Sequence, residues 1–172
     1  MNPSPSLVDR QLPVQSGARL SPDGVYRYAL TRVLCPIAEP IVCWIMLNPS
    51  KADALTDDPT VRRCMQFSRN WDFGAMIVVN LFALRSTDPV ELQRYTDPVG
   101  PENQYWLGKA VALSSRVVCA WGEHGGLYGR DVQVLRFLRF IGETPYCLGT
   151  TRQGRPRHPV RLAYSTKLQV LA

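Results

Sequence analysis

The chain has 172 residues, an apolar share of 45 % and a formal net charge of +6. This length suits one domain with a real core, and no apolar stretch reaches the roughly 18 residues that span a bilayer. Of the 20 basic residues 17 are Arg; guanidinium forks match phosphate geometry, although an Arg-rich solvated surface explains the same count.

Residues 1–22 carry four Pro among scattered polar residues and read as a poorly ordered arm, which leaves 23–172 as a single α/β domain. The N-terminus shows no charged-then-apolar signal pattern, so a cytoplasmic protein is expected. The segment 25–34 alternates enough for an edge strand. Ile41-Val42-Cys43-Trp44-Ile45-Met46-Leu47 has no polar break and reads as a strand buried on both faces, ended by Asn48-Pro49. Asp58-Pro59 is an N-cap followed by Pro at the first helical position, and opens a helix through about Asn70. Ala75 to Val79 is a second buried strand running into Asn80. Short and longer helices are expected over 89–94 and 101–115, the latter with Tyr105, Leu107, Val111, Ala112 and Leu113 apolar. Arg116 to Ala120 is a third buried strand running into Trp121-Gly122. A helix over 130–141, with Val132, Leu135, Leu138 and Ile141 as one stripe, leads to a last strand at 145–149. A basic tail follows, with a short C-terminal helix as one option for its end. Alternation of strands and helices implies a three-layer α/β/α sandwich with a mostly parallel central sheet.

The five cysteines have no C-x-x-C spacing and read as buried thiols, not as a disulfide framework or a zinc site. No phosphate-binding G-x-x-x-x-G-K-[ST] loop, G-x-G-x-x-G turn or G-x-S-x-G elbow occurs, which argues against P-loop phosphotransfer, a dinucleotide dehydrogenase and an α/β-hydrolase. Ligands of open α/β sheets bind beyond the carboxyl ends of the strands. Four loops are therefore expected to converge there: Asn48 to Asp58, Asn80 to Thr87, Trp121 to Gly126 and Thr150 to Leu162. Asn48 and Asn80 offer amides that read a base edge or orient a water; each can equally close a turn. Asp53, Asp57 and Asp58 are carboxylates suited to activating water or holding magnesium, with Asp58 the natural N-cap. His158 lies among Arg residues that depress its pKa by like-charge repulsion.

Leu47-Asn48-Pro49-Ser50, Asp57-Asp58-Pro59-Thr60, Val79-Asn80-Leu81-Phe82, Asp97 to Asn103 and Pro156-Arg157-His158-Pro159 resemble a bacterial and phage family, domain of unknown function 1643, over about residues 24–165. More distantly, the order of elements is similar to the uracil-DNA glycosylase superfamily. Leu47-Asn48-Pro49 looks like the Gly-Ile-Asn-Pro-Gly motif of its mismatch-specific branch. Asn80 ends a core strand as that superfamily's base-reading Asn does, Ala120-Trp121-Gly122 is similar to its Leu-Trp-Gly, and His158-Pro159-Val160-Arg161-Leu162 keeps the His, Pro and Leu of its closing motif.

That resemblance implies a DNA glycosylase acting on an extruded base. Asn48 positions the attacking water with Asp53 or Asp57 as helper, and His158 stabilises the departing base. Asn80, Ser50, Phe67, Phe82 and Trp121 form the base pocket. Arg152, Arg155, Arg157 and Arg161 meet the DNA, and Leu162 wedges into the gap. Asn48 stands where many members carry Asp. Ser50 replaces a Tyr that excludes 5-substituted pyrimidines, which suggests room for a modified base in repair or anti-phage defence. Val160 replaces a phosphate-contacting Ser. The expected partner is DNA, single-stranded or with modified bases; the expected state is a monomer without cofactor or metal. The rivals are a non-catalytic nucleic-acid or nucleotide-binding module and a metal-dependent hydrolase built on Asp53, Asp57 and His158.

Overall fold

The computed structural model describes residues 15–172. Its centre is a seven-stranded open sheet in the order β1-β2-β4-β3-β5-β6-β7. The strands are β1 (Gly17–Leu20), β2 (Arg27–Val33), β3 (Ile41–Met46), β4 (Ala75–Asn80), β5 (Arg116–Cys119), β6 (Pro145–Cys147) and β7 (Gln169–Val170). The inner strands β4, β3, β5 and β6 are parallel, whereas β1, β2 and β7 pair antiparallel at the flanks. The four α-helices are α1 (Pro59–Asn70), α2 (Glu91–Arg94), α3 (Asn103–Ala112) and α4 (Arg130–Phe140).

The apolar runs read from sequence are buried on both faces because helices cover both. Residues of β3, β4 and β5 alternate between two cores, as the two-residue period of a strand requires. Cys43, Ile45, Val79 and Val117 pack with Trp106, Leu107, Ala110, Val134 and Leu138 of α3 and α4. Val42, Trp44, Met76, Val78 and Val118 pack with Val61, Cys64 and Phe67 of α1. The α1 start is as expected: Asp58 accepts the Val61 N–H at 2.8 Å and Pro59 opens the helix. The Trp44 indole N–H donates to Ser68 Oγ at 3.0 Å, so its burial leaves no donor unmet.

Several expectations are corrected. Part of the proline-rich arm, Gly17–Leu20, is a strand paired with β2; residues 1–14 lie outside the described residues. With β1 beside it, β2 is not an edge, and its Arg27 and Arg32 are buried. The C-terminal segment forms β7 against β6, not a helix. The buried face of α3 is Trp106, Leu107, Ala110 and Val111, while Tyr105 and Leu113 face outward. In α4 the sheet-facing side carries Asp131, Val134 and Leu138, and Val132 and Ile141 are exposed. Each helix is rotated because its buried polar residue, Asn103 or Arg130, must reach carbonyls at the end of β4.

Four cysteines are buried and Cys35 is exposed, all as free thiols. Among the described residues no helix is long and apolar enough to cross a membrane. Phe67 is fully buried between Trp44, Trp71 and Tyr164. Replacing it with Ala is expected to cost about 3–5 kcal/mol of stability, read from the urea midpoint. A change below about 1 kcal/mol would contradict its core placement.

Candidate functional site

The crossover β3–α1–β4 leaves β3 on one side and β5 lies on the other, so connections diverge at the carboxyl ends of these strands. Such a reversal opens a crevice. A cavity of about 330 Å³ lies there, and all four expected loops contribute to it. The first supplies Asn48, Ser50 and Asp58, the second Asn80, Ser86 and Thr87, the third Trp121 to His124, and the tail His158. Backbone bonds lace these loops together: Leu81 N–H to Met46 O and Phe82 N–H to Leu47 O, both 2.9 Å, Ser86 N–H to Pro49 O at 2.9 Å, and Gly122 N–H to Pro156 O at 2.8 Å.

Asn80 is the last residue of β4 and 1 % exposed, and neither its Nδ2 nor its Oδ1 has a hydrogen-bond partner. An amide without partners in a buried wall is costly. Its backbone is the opposite. Asn103 Nδ2 donates to the carbonyls of Asn80 (3.1 Å) and Leu81 (2.9 Å), and Arg130 Nε donates to Leu81 O at 3.0 Å. The chain there is clamped, while the side chain, part of the cavity wall, keeps both amide atoms buried and without partners. The segment Asp97 to Asn103 serves that clamp. Val99 and Pro98 carbonyls accept from Ala83 and Leu84, and Gly100, at φ +86°, packs against the Tyr26 ring.

Asn48 is partly spent. Its Nδ2 donates to Ser86 O at 2.9 Å and to Pro49 O at 3.2 Å, which fixes the amide and leaves Oδ1 as the available acceptor. The Trp121 indole is 2 % exposed and its Nε1 has no partner, unlike that of Trp44. It lies over Gly125, where any Cβ would run into the ring. His158 Nδ1 accepts the Val160 N–H at 3.3 Å, so the neutral ring carries its proton on Nε2. Burial lowers its pKa below 6.5, and Asp58 acts weakly the other way. The expected cause, repulsion from neighbouring Arg, is therefore replaced by desolvation. Cys64 lines the cavity, but burial pushes its thiol far above the usual range and keeps it protonated.

The other expected site residues lie elsewhere. Asp53 Oδ1 accepts from Leu55 and Thr56 N–H, which closes a turn and lowers its pKa. Asp57 pairs with Arg32 Nε at 2.7 Å. Of the three aspartates it is Asp58, the N-cap, that lines the cavity, together with Glu123, which pairs with Arg155 at 3.4 Å. Phe67 and Phe82 belong to the two cores and do not line the cavity. Leu162 is 6 % exposed under α1, with its carbonyl bonded to Arg63, so it cannot stand out as a wedge. Arg155 is tied to Asp131 (3.3 Å) and Glu123 (3.4 Å), whereas Arg152, Arg157 and Arg161 are exposed. Asp53, Asp57 and His158 do not converge, and among the described residues no three His, Cys, Asp or Glu side chains could hold a metal together.

Sequence reasoning missed Arg27, which is 2 % exposed in β2 and lines the cavity. The available signal was a charged residue in a strand otherwise patterned for burial. It also missed Asn103 and Arg130 as supports for Asn80.

An open-sheet α/β protein with a cavity, apolar in most of its lining but carrying several polar side chains, beyond the carboxyl ends of its parallel strands is the class defined here. The chain belongs to the family described as Protein of unknown function (DUF1643), whose sequence profile matches residues 27–160. No curated protein and no solved structure matches it.

The His158 environment has a measurable consequence. Its folded pKa lies below the unfolded value near 6.5, so the unfolded chain binds the proton first as pH falls. The stability it contributes is full above pH 6.5 and is lost as pH drops toward and below the folded pKa. NMR titration of the imidazole C–H signals is expected to give His158 a midpoint below 6.5; a midpoint at or above 6.5 would contradict its buried, neutral state.

Proposed function

We propose that the cavity takes a single extruded base of DNA and that the protein hydrolyses its N-glycosidic bond. The observation that carries this reading is Asn80: a buried amide with donor and acceptor both unspent, held by a clamped backbone at the cavity wall. A nucleobase edge offers a matching acceptor and donor side by side, and few other ligands satisfy both atoms of an amide at once. The volume, about 330 Å³, is at the small end of ligand pockets and suits one base rather than a longer segment. The ordered resemblance of its sequence motifs to those of the uracil-DNA glycosylase superfamily supports the same reading.

The proposed chemistry is a displacement at C1′ of the sugar. Water held by Asn48 Oδ1 adds to that carbon as the bond to the base breaks, its electron pair passing to the ring nitrogen. His158 Nε2–H donates a hydrogen bond to the base as negative charge grows. The proton lost by water passes to Asp58. Asn48 is an amide and orients water without deprotonating it. Arg152, Arg157 and Arg161, exposed on the tail that carries His158, meet the phosphates. Extruding the base needs a wedge other than Leu162; Val160, 43 % exposed beside His158, is the apolar side chain at that place.

One observation favours the non-catalytic rival. Asn48 spends its donors on the backbone and Asp58 spends Oδ1 on the Val61 N–H, so no carboxylate is wholly free at the water position. In that reading the same pocket binds a base and leaves the bond intact.

The test is alkali-revealed strand cleavage after incubation with DNA carrying uracil, mismatched thymine, hydroxymethylcytosine or its glucosylated form. Cleavage at one substrate is expected, falling about 100-fold or more in Asn80→Ala. Asn80→Asp, which turns the donor into an acceptor, is expected to be comparably impaired. Full activity in Asn80→Ala would contradict the pocket, and binding without cleavage on every substrate would favour the rival.

A further inference from the structure

Among the described residues three arginines are buried: Arg27, Arg32 and Arg130. Two are answered. Arg32 meets Asp57 and the carbonyls of Thr31 and Asp53. Arg130 meets Leu81 O and the amide oxygens of Gln133 and Gln104. Arg27 is not. Its Nη1 donates to Ala52 O, its Nε is buried without a partner, and among the described residues no carboxylate is in ion-pair contact with it. Its charged surroundings offset one another, since Asp58 and Asp53 act against Arg85 and Arg32. Burial pulls its pKa down to about 10, which still leaves it protonated at neutral pH. A guanidinium buried without a counter-charge is expensive, and buried charges are normally paired. Arg27 lines the same cavity as Asn80.

We propose that Arg27 makes this cavity selective for a planar base that bears a carboxylate. This rests on the reading of the cavity as a base pocket. A neutral carbonyl satisfies an Nε–H, as Leu81 O does for Arg130; a carboxylate satisfies it and adds a counter-charge to those of Asp58 and Asp53. The guanidinium edge through Nε is planar and accepts the two oxygens of a carboxylate side by side. Because Asn80 and Arg27 share a cavity of only about 330 Å³, the ring edge and the anionic group belong to one compact ligand. The roomier pocket expected from Ser50 fits a substituted base.

The test is isothermal titration calorimetry with uracil, 5-carboxyuracil, 6-carboxyuracil and benzoate, using the full chain and Arg27→Gln. The better carboxyuracil is expected to bind at least about 10-fold tighter than uracil. In Arg27→Gln that ratio is expected to fall to within about 3-fold. If Arg27→Gln fails to fold, Arg27→Lys keeps the charge without the fork and is expected to retain only part of the preference; the wild-type ratio needs no variant. Uracil and both carboxyuracils binding alike, or a preference that survives in Arg27→Gln, would overturn the inference and leave the base pocket standing. Benzoate binding as tightly as the carboxyuracils would remove the base reading while keeping Arg27 as an anion site. Absence of binding by all four probes would overturn both.

Discussion

Two buried side chains hold the backbone at the end of β4, and the cavity depends on them. Asn103, the first residue of α3, and Arg130, the first of α4, reach across the helix–sheet interface to the carbonyls of Asn80 and Leu81. Those carbonyls point to the helical side, away from neighbouring strands, and in an apolar core they would otherwise be orphans. Their capture fixes the rotation of both helices against the sheet. It also fixes the direction from which Asn80 presents its amide. The same helices supply Trp106, Leu107, Val134 and Leu138 to one core, so packing and site geometry share one set of constraints.

The cavity itself concentrates polar groups that nothing in the fold satisfies. Asn80 leaves both amide atoms unmet, Trp121 leaves its indole N–H, and Arg27 leaves Nε. Outside the cavity Arg63 Nε, Arg85 Nε and Asn103 Oδ1 are also unmet, whereas Trp44 finds Ser68 and Arg32 finds Asp57. Each unmet buried group costs on the order of 1–3 kcal/mol. A fold that carries several in one wall is less stable for it, and a ligand that supplies their partners recovers that free energy on binding. Asn48 and His158 differ in kind. Their bonds to Ser86 O and the Val160 N–H orient them, and each keeps one atom, Oδ1 and Nε2–H, for the cavity.

Much of the scaffold was legible in the sequence because it rests on short-range physics. The run Ile41 to Leu47 has no polar break, and Asp58-Pro59 combines a cap with a preset φ, so β3 and α1 were placed nearly to the residue. The strands β1 and β7 were not, since four and two residues without an apolar run carry no periodic signal. The converging loops with Asn48, Asn80 and His158 followed from where strands end, Ser50 and Trp121 from the family resemblance, and all five line the cavity. Phe67, Phe82 and Leu162 were misplaced because hydrophobicity alone does not separate a core side chain from a cavity wall. Asp53, Asp57 and Asp58 are alike in sequence; only the turn after Asp53 and the ion pair to Arg32 decide which one faces the cavity. Arg27 stayed hidden because the alternation over 25–34 reads as an edge strand, where a charged residue is ordinary.

The central claim is that the unspent amide of Asn80 receives the edge of a base. Selective ¹⁵N labelling of asparagine side chains tests it directly, by following the Nδ2 signals as a nucleobase is added. The Asn80 signal is expected to shift downfield as its protons gain an acceptor, while those of Asn48 and Asn103, already bonded to carbonyls, stay close to their positions. An Asn80 signal that does not move while base binds elsewhere, or shows the bonded position before any base is added, would contradict the account.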